Sequence, residues 1–220
     1  MFSDTMEDYL KAIYVLQTEG GPPVSTSEIA EYLEKTPPTV TSMVSSLAED
    51  GLIDHEKYNG VELTAEGETV ALEVIRHHRL LETYLTEQLD YDWHEVHDEA
   101  DALEHHISEE FERRVAEALD NPTVDPHGDP IPGVELDPIE GDDAVRLTEF
   151  ATGDHVVVSR VSDRDEEELT YLEAAGITPG TELELTDIAP FGMVTVETAS
   201  GDEQSLPESV ARSIRVEPVD

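Results

Sequence analysis

The chain contains no cysteine, which excludes a disulfide framework, a thiolate-held metal and a cysteine nucleophile. It has no run of about 18 apolar residues, so no membrane-spanning helix is expected and no membrane partner. No basic-then-apolar segment opens it as an export signal. Lysine is nearly missing: Lys11, Lys35 and Lys57 are the only three. No P-loop, GxGxxG, GxSxG or HExxH pattern is present, and no enzyme is expected.

What is abundant is acid. Fifty-three acidic residues stand against 12 basic ones in 220 residues, a formal net charge of −41. Disorder would give such a composition, as would an acidic partner-binding surface. The acids, however, are spread through periodic apolar segments, and 38% of the chain is hydrophobic, enough to bury a core. Uniform acidity with so little lysine departs from the mixed-charge norm and points to a protein adapted to molar salt, where the Debye length is about 3 Å. A KCl-rich cytoplasm is the expected setting, and the protein is expected to be halophilic.

The fold class read from the chain is α+β. Residues 1–65 read as helices and a hairpin. Ser3 or Asp4 caps a helix to about Thr18, and Gly20-Gly21-Pro22-Pro23 breaks it. Ser25-Thr26-Ser27-Glu28 is a capping box for a short helix ending near Leu33. Thr36 caps another, with Pro37 in its first turn and Gly51 as its stop. Ile53–Tyr58 and Val61–Leu63 flank Asn59-Gly60, a two-residue hairpin signal. That order is the order of a winged helix-turn-helix. The 1–65 segment carries 12 acids and three lysines, yet Lys35–Ala48, the longest acid-free stretch in the chain, covers the helix that would enter a major groove. Its small polar surface (Lys35, Thr36, Pro38, Thr39, Thr41, Ser42, Ser45) and the wing residues Lys57, Tyr58 and Asn59 are the candidate DNA contacts. In molar salt, counterion release contributes little, and neutral hydrogen-bond donors carry more of the recognition.

Two long helices are expected next, Ala65 to about Gln88 and Asp92 to about Leu119, within a helical segment 66–120. Residues 121–143, with five prolines, read as a linker. Residues 144–220 read as a small barrel-like β domain, with strands at Val156–Val161, Glu182–Ile188, Met193–Thr198 and Ile214–Val216 and a helix near Glu166–Ala175.

Six of the nine histidines fall between positions 77 and 106. His97, Asp101, Glu104, His105 and Ser108 share one helical face, as do His78 and Glu82. Imidazoles and carboxylates without thiolates suit Mn²⁺, Fe²⁺ or, less selectively, Zn²⁺, and helical bundles build such sites in their interiors. His77, His94 and His106 lie off these faces and read as surface residues. The competing reading is a metal-independent winged-helix regulator whose C-terminal domain binds another ligand or a protein.

Over essentially its whole length the chain resembles the diphtheria toxin repressor family of metal-dependent transcriptional regulators. The match is carried by Met6-Glu7-Asp8-Tyr9-Leu10, Pro38-Thr39-Val40-Thr41, Leu63-Thr64-Ala65-Glu66-Gly67 and His78-Arg79-Leu80-Leu81-Glu82. Val96-His97-Asp98-Glu99-Ala100, Leu103-Glu104-His105-His106-Ile107-Ser108 and Asp129-Pro130-Ile131-Pro132-Gly133 continue it. The resemblance implies a winged-helix domain, a helical dimerisation and metal-binding domain and a C-terminal SH3-like domain. It implies a homodimer on a palindromic double-stranded DNA operator, acting in the cytoplasm as a repressor of metal uptake. It maps a primary metal site onto Asp8, Asp101, Glu104 and His105, and a second onto His78, Glu82 and His97, with Asp165 and Glu168 added from the SH3-like domain. The iron-sensing branch has cysteine where this chain has Asp101, so the implied cofactor, Mn²⁺ or Fe²⁺, tilts toward Mn²⁺. The manganese branch has glutamate where this chain has Lys11, which argues against a closely spaced metal pair.

Overall fold

The computed structural model describes residues 2–56, 59–139, 144–190 and 192–219. It divides into two compact units. The first is Met1–His78, Ala102–Arg114 and Ile131–Gly141; the second is Arg79–Asp101, Val115–Pro130 and Asp142–Asp220.

In the first unit, local chemistry sets the helix starts. The Ser3 hydroxyl accepts from Met6 N to cap α1 (Asp4–Gly20), with Asp4 and Glu7 at the positive end of the dipole. Ser25 and Glu28 close a reciprocal capping box on α2 (Thr26–Tyr32). Pro37 opens α3 (Pro37–Glu49), where its missing N–H has no partner to lose. Strands β1 (Ile53–Glu56) and β2 (Gly60–Leu63) pair antiparallel, with Glu56 opposite Gly60. Gly60 is therefore a strand residue and not half of the expected Asn59-Gly60 turn. Its φ is +112° and a Cβ there would sit 2.5 Å from Val24 O, so only glycine fits.

Tyr9, Leu10 and Ile13 of α1, Ile29 of α2, and Val40, Val44 and Leu47 of α3 share one buried core with Leu52, Val61 and Leu72. Burying Val40, Val44 and Leu47 turns the hydroxyl-bearing side of α3 outward. The next helix, α4 (Ala65–Leu89), begins against this core. Thr64 Oγ1 accepts from Gly67 N, and a Cβ on Gly67 would meet Leu52 O at 2.0 Å.

The expected single helix from Asp92 to Leu119 is two: α5 (Val96–Leu103) and α6 (Glu109–Ala118). Asp92–Glu95 forms a turn, Glu95 N donating to Asp92 O. Residues 104–108 leave the helix because other partners claim them. His77 takes the Glu104 carbonyl at 3.1 Å, and Ser108 caps α6, its Oγ accepting from Phe111 N and its carbonyl from Glu112 N. His77 itself is buried at 9% exposure, so it is no surface residue.

The second unit holds a six-stranded antiparallel sheet. Its elements are β3 (Val145–Arg146), a 3₁₀ turn at Leu147–Glu149, β4 (His155–Val161), α7 (Glu166–Ala174), β5 (Glu182–Ile188) and β6 (Val194–Thr198). They end with β7 (Glu203–Leu206), α8 (Glu208–Ser213) and β8 (Ile214–Pro218). The strand order is β3-β8-β4-β5-β6-β7. Among the described residues the two outer strands do not pair with each other, so the sheet is an open SH3-like one and not a closed barrel. Val156, Val158, Leu183, Leu185, Val194, Val196, Ile214 and Val216 alternate inward to form its core.

Part of the proline-rich stretch packs against the sheet. Residues 124–130 lie along β4: Val161 N donates to His127 O, and a Cβ on Gly128 (φ +90°) would sit 2.1 Å from Ser159 O. Asp125 Oδ1 ties the turn by accepting from His127 N and Asp129 N. No helix among the described residues is long and apolar enough to cross a membrane.

Candidate functional site

The first unit gathers Asp8, Glu104 and His105, whose ligand atoms lie within 4.8 Å of one another. Asp8 comes from α1; Glu104 and His105 come from the turn that interrupts the α5–α6 stretch. His105 Nε2 is 2.8 Å from Asp8 Oδ1 and 3.3 Å from Glu104 Oε1, while its Nδ1 is 2.8 Å from Glu7 Oε2. A metal taking Nε2 would leave Nδ1–H donated to Glu7, the carboxylate–histidine–metal arrangement that fixes a ring. Glu104 Oε2 receives Lys11 Nζ at 2.8 Å and lies 2.6 Å from His78 Nδ1.

Burial and neighbouring charges shift all three groups. Burial pushes the Asp8 carboxyl up despite its bond to His105. Burial alone would lower His105, but Glu7, Glu104 and Asp8 hold its proton and raise it. Burial alone would raise Glu104, but His78 and Lys11 keep it below the ordinary carboxylate range. Asp101, on the same expected helical face, belongs to the second unit, where its carboxylate lies 3.6 Å from His97 Nε2.

In the second unit, Glu82, Asp125 and His127 form a group that is buried throughout. His127 Nε2–H donates to Trp93 O at 2.9 Å, which leaves Nδ1 facing Glu82 Oε1 at 3.7 Å. His127 Nδ1 and Asp125 Oδ2 are buried with no hydrogen-bond partner among the described residues. Arg79 Nε approaches Asp125 Oδ2 to 3.6 Å without a hydrogen bond, and the buried donor set of Glu82, Asp125 and His127 fits a divalent cation. His97 Nδ1 lies 3.4 Å from Glu82 Oε1 and 3.2 Å from Asp163 Oδ2. Asp165 and Glu168 are not among the donors around His97: Asp165 Oδ1 caps α7, accepting from Glu167 N and Glu168 N. His78 lies in the first unit beside Lys11.

Four participants escaped the sequence reading: Glu7, Asp125, His127 and Asp163. Asp125-Pro126-His127-Gly128 did carry a signal, two donor types beside a glycine, but its proline content read as linker.

The Glu82 group has a measurable pH signature. Burial alone would lower His127, but the Glu82, Asp125 and Asp163 carboxylates raise it to about 9. A raised histidine adds stability that is fully present below the unfolded value near 6.5 and is lost as pH climbs through about 9. Asp125, pushed up by burial and Glu82, has the same sign, its contribution being lost as pH rises from the ordinary carboxylate value of 3.8. Chelated protein is therefore expected to lose thermal stability from pH 6.5 to 9, and excess Mn²⁺ to remove that decline by replacing the proton. A flat profile in chelator contradicts the buried group.

Lys35 and Thr36 just before α3, and Pro38, Thr39, Thr41, Ser42 and Ser45 on it, are all exposed, as is Asn59. Thr41 and Ser45 hydroxyls donate back to Pro37 O and Thr41 O, which leaves their oxygens as outward acceptors. Lys57 and Tyr58 lie outside the described residues.

A helix-turn-helix head whose first helix brings Asp8 to a histidine–carboxylate cluster fits a metal-responsive DNA-binding regulator. Comparison with known proteins agrees. Residues 1–61 match the family model described as iron dependent repressor, N-terminal DNA binding domain. Residues 64–133 match its metal binding and dimerisation domain, and 145–218 the FeoA domain. The chain is 40% identical to the iron-dependent repressor IdeR of Mycobacterium tuberculosis, with 98% of each covered. It is 38% identical to the diphtheria toxin repressor of Corynebacterium glutamicum, covering 99% of this chain and 97% of that one. A solved manganese-dependent transcriptional repressor in complex with manganese superposes with a TM-score of 0.90 at 38% identity, covering 97% and 100%. The manganese regulator SloR superposes with a TM-score of 0.81 at 33% identity, covering 97% and 98%. The chain belongs to the iron-dependent repressor family, whose members are DNA-binding transcriptional regulators and not enzymes.

Proposed function

We propose that this protein is a metal-activated transcriptional repressor that binds palindromic double-stranded DNA as a homodimer and controls metal uptake in a salt-rich cytoplasm. The observation that carries the reading is the Asp8–Glu104–His105 cluster: one ligand sits on the reading head's first helix and two on the turn before α6. A divalent ion held by all three would supply the positive charge that their carboxylates lack and tie α1 to that turn. Fixing α1 fixes α3 through their shared core, so metal and DNA binding become linked. Residues 1–65 read DNA, 66–120 pair the subunits and bind metal, and 121–143 lead into the 144–220 domain. Glu82, Asp125, His127 and Asp163 would hold a second ion, with His97 beside them. Hard carboxylates and imidazoles without sulfur suit Mn²⁺ and Fe²⁺, and the carboxylate share favours Mn²⁺.

The test is capture of fragmented genomic DNA by purified protein in about 2 M KCl, with chelator, Mn²⁺, Fe²⁺ or Zn²⁺. Palindromes enriched only with Mn²⁺ or Fe²⁺ support the reading; enrichment that ignores chelator supports a metal-independent regulator instead.

Adaptation to salt makes a separate prediction. With a net charge of −41, self-repulsion opposes folding until it is screened. The thermal midpoint is expected to rise by several degrees between about 0.2 and 2 M KCl. A midpoint that ignores KCl contradicts the halophilic reading.

A further inference from the structure

The α5–α6 interruption is spanned by a side-chain bracket that no metal-ligand role accounts for. His77 on α4 holds the Glu104 backbone carbonyl at 3.1 Å through Nδ1. A carbonyl only accepts, so Nδ1 carries the hydrogen. The other ring nitrogen, Nε2, faces Glu112 Oε2 of α6 at 3.5 Å. Glu112 Oε1 in turn accepts from Arg76 Nε at 2.5 Å, and Arg76 Nη1 donates to Pro132 O at 2.6 Å. Arg76 and His77 are both buried, at 7% and 9% exposure. All of these groups belong to the first unit.

We infer that His77 is a positioning residue for the Asp8–Glu104–His105 cluster, acting through the Glu104 main chain and never touching the ion. A helix that stops at Leu103 leaves carbonyls without their intrahelical donors, and a buried orphan carbonyl is costly. His77 satisfies the Glu104 carbonyl, which stabilises the interruption against the continuous helix that the apolar stripe would otherwise favour. In that continuous helix, Glu104 and His105 point about 100° apart and would not converge on one partner. In the turn, both lie within 3.3 Å of each other while His105 also reaches Asp8. Arg76 holds Glu112 on the far side, and the ring sits between the carbonyl before the turn and the carboxylate after it, its Nε2 making no hydrogen bond among the described residues.

The inference rests on the reading that Asp8, Glu104 and His105 bind a metal, and the experiment separates the two. Mn²⁺ binding to the full-length protein is followed by the electron paramagnetic resonance of free Mn²⁺, and the site followed is the one that Asp8→Ala removes. His77→Asn places its amide nitrogen where Nδ1 stood; His77→Gln carries it to the Nε2 position. Both are polar and similar in size, so packing does not distinguish them. His77→Asn is expected to bind Mn²⁺ at that site within about threefold of the parent, and His77→Gln about tenfold or more weakly, the usual scale for a lost orienting contact. Equal affinities for the two variants, or a weaker Asn variant, overturn the positioning role. If Asp8→Ala removes no site, the metal reading itself has failed, whatever the His77 variants do.

Discussion

Replacing Asp8 with alanine is expected to lower DNA affinity in saturating Mn²⁺ by about 10²-fold, to the value measured in chelator. Asp8 is the single ligand that the reading head contributes. Without it, Glu104 and His105 remain on their turn, but an ion bound there no longer holds α1. The substitution removes a half-exposed side chain from a helix that gains propensity from alanine, so the fold and the dimer are expected to persist. Size-exclusion chromatography and thermal unfolding check that. Trp93, the one tryptophan in the chain, lies with its ring 5.1 Å from that of His127. Its emission is expected to keep responding to Mn²⁺ in the variant, because it reports the Glu82 group. If Asp8→Ala protein still requires Mn²⁺ for tight DNA binding, α1 is not the element that the metal controls.

Gly128→Ala is expected to destabilise the protein by about 2–4 kcal/mol, from left-handed backbone strain and overpacking together. The new methyl would meet Ser159 O at 2.1 Å and Arg160 Cα at 2.9 Å, both backbone atoms that cannot rotate aside. Segment 124–130 must then lift from β4, which breaks the Val161–His127 bond and displaces His127 from Glu82. The Trp93 response to Mn²⁺ should weaken along with stability. Gly153→Ala is the control: its φ is +94°, but a Cβ there meets nothing within 4 Å. It carries the conformational cost alone. Equal losses in the two variants, with the Trp93 response intact, mean that close packing on β4 does not position His127.

The elements legible in the sequence are those whose causes are local. Ser3, the Ser25–Glu28 box and Pro37 each act within one helical turn, and they mark α1, α2 and α3 to within a residue or two. The four longest strands were visible from alternating valines and leucines. β7 was not, because Glu203-Gln204-Ser205-Leu206 has too little apolar character to show a period. The α5–α6 break escaped for a different reason. The apolar stripe runs on through Ile107 and Phe111, and the partner that ends the first helix, His77, is 27 residues away in sequence. The Ser108-Glu109-Glu110 start of α6 was the one local trace of it.

The same division holds for the metal groups. Periodicity pointed to Glu104, His105 and Glu82, and the resemblance supplied Asp8. The resemblance also supplied Asp101, whose carboxylate lies 3.6 Å from His97 Nε2. Glu7 and Asp163 depend on distances of 98 and 66 residues along the chain to the histidines they face, and no spacing rule reaches that far.

The central claim is a linkage, and it is tested most directly in both directions at once. DNA affinity is measured with and without Mn²⁺, and Mn²⁺ affinity with and without a captured palindrome, all in about 2 M KCl. Reciprocity requires the two ratios to agree, and the account predicts a shared factor between about 5 and 150. A Mn²⁺ affinity that DNA leaves unchanged would contradict it.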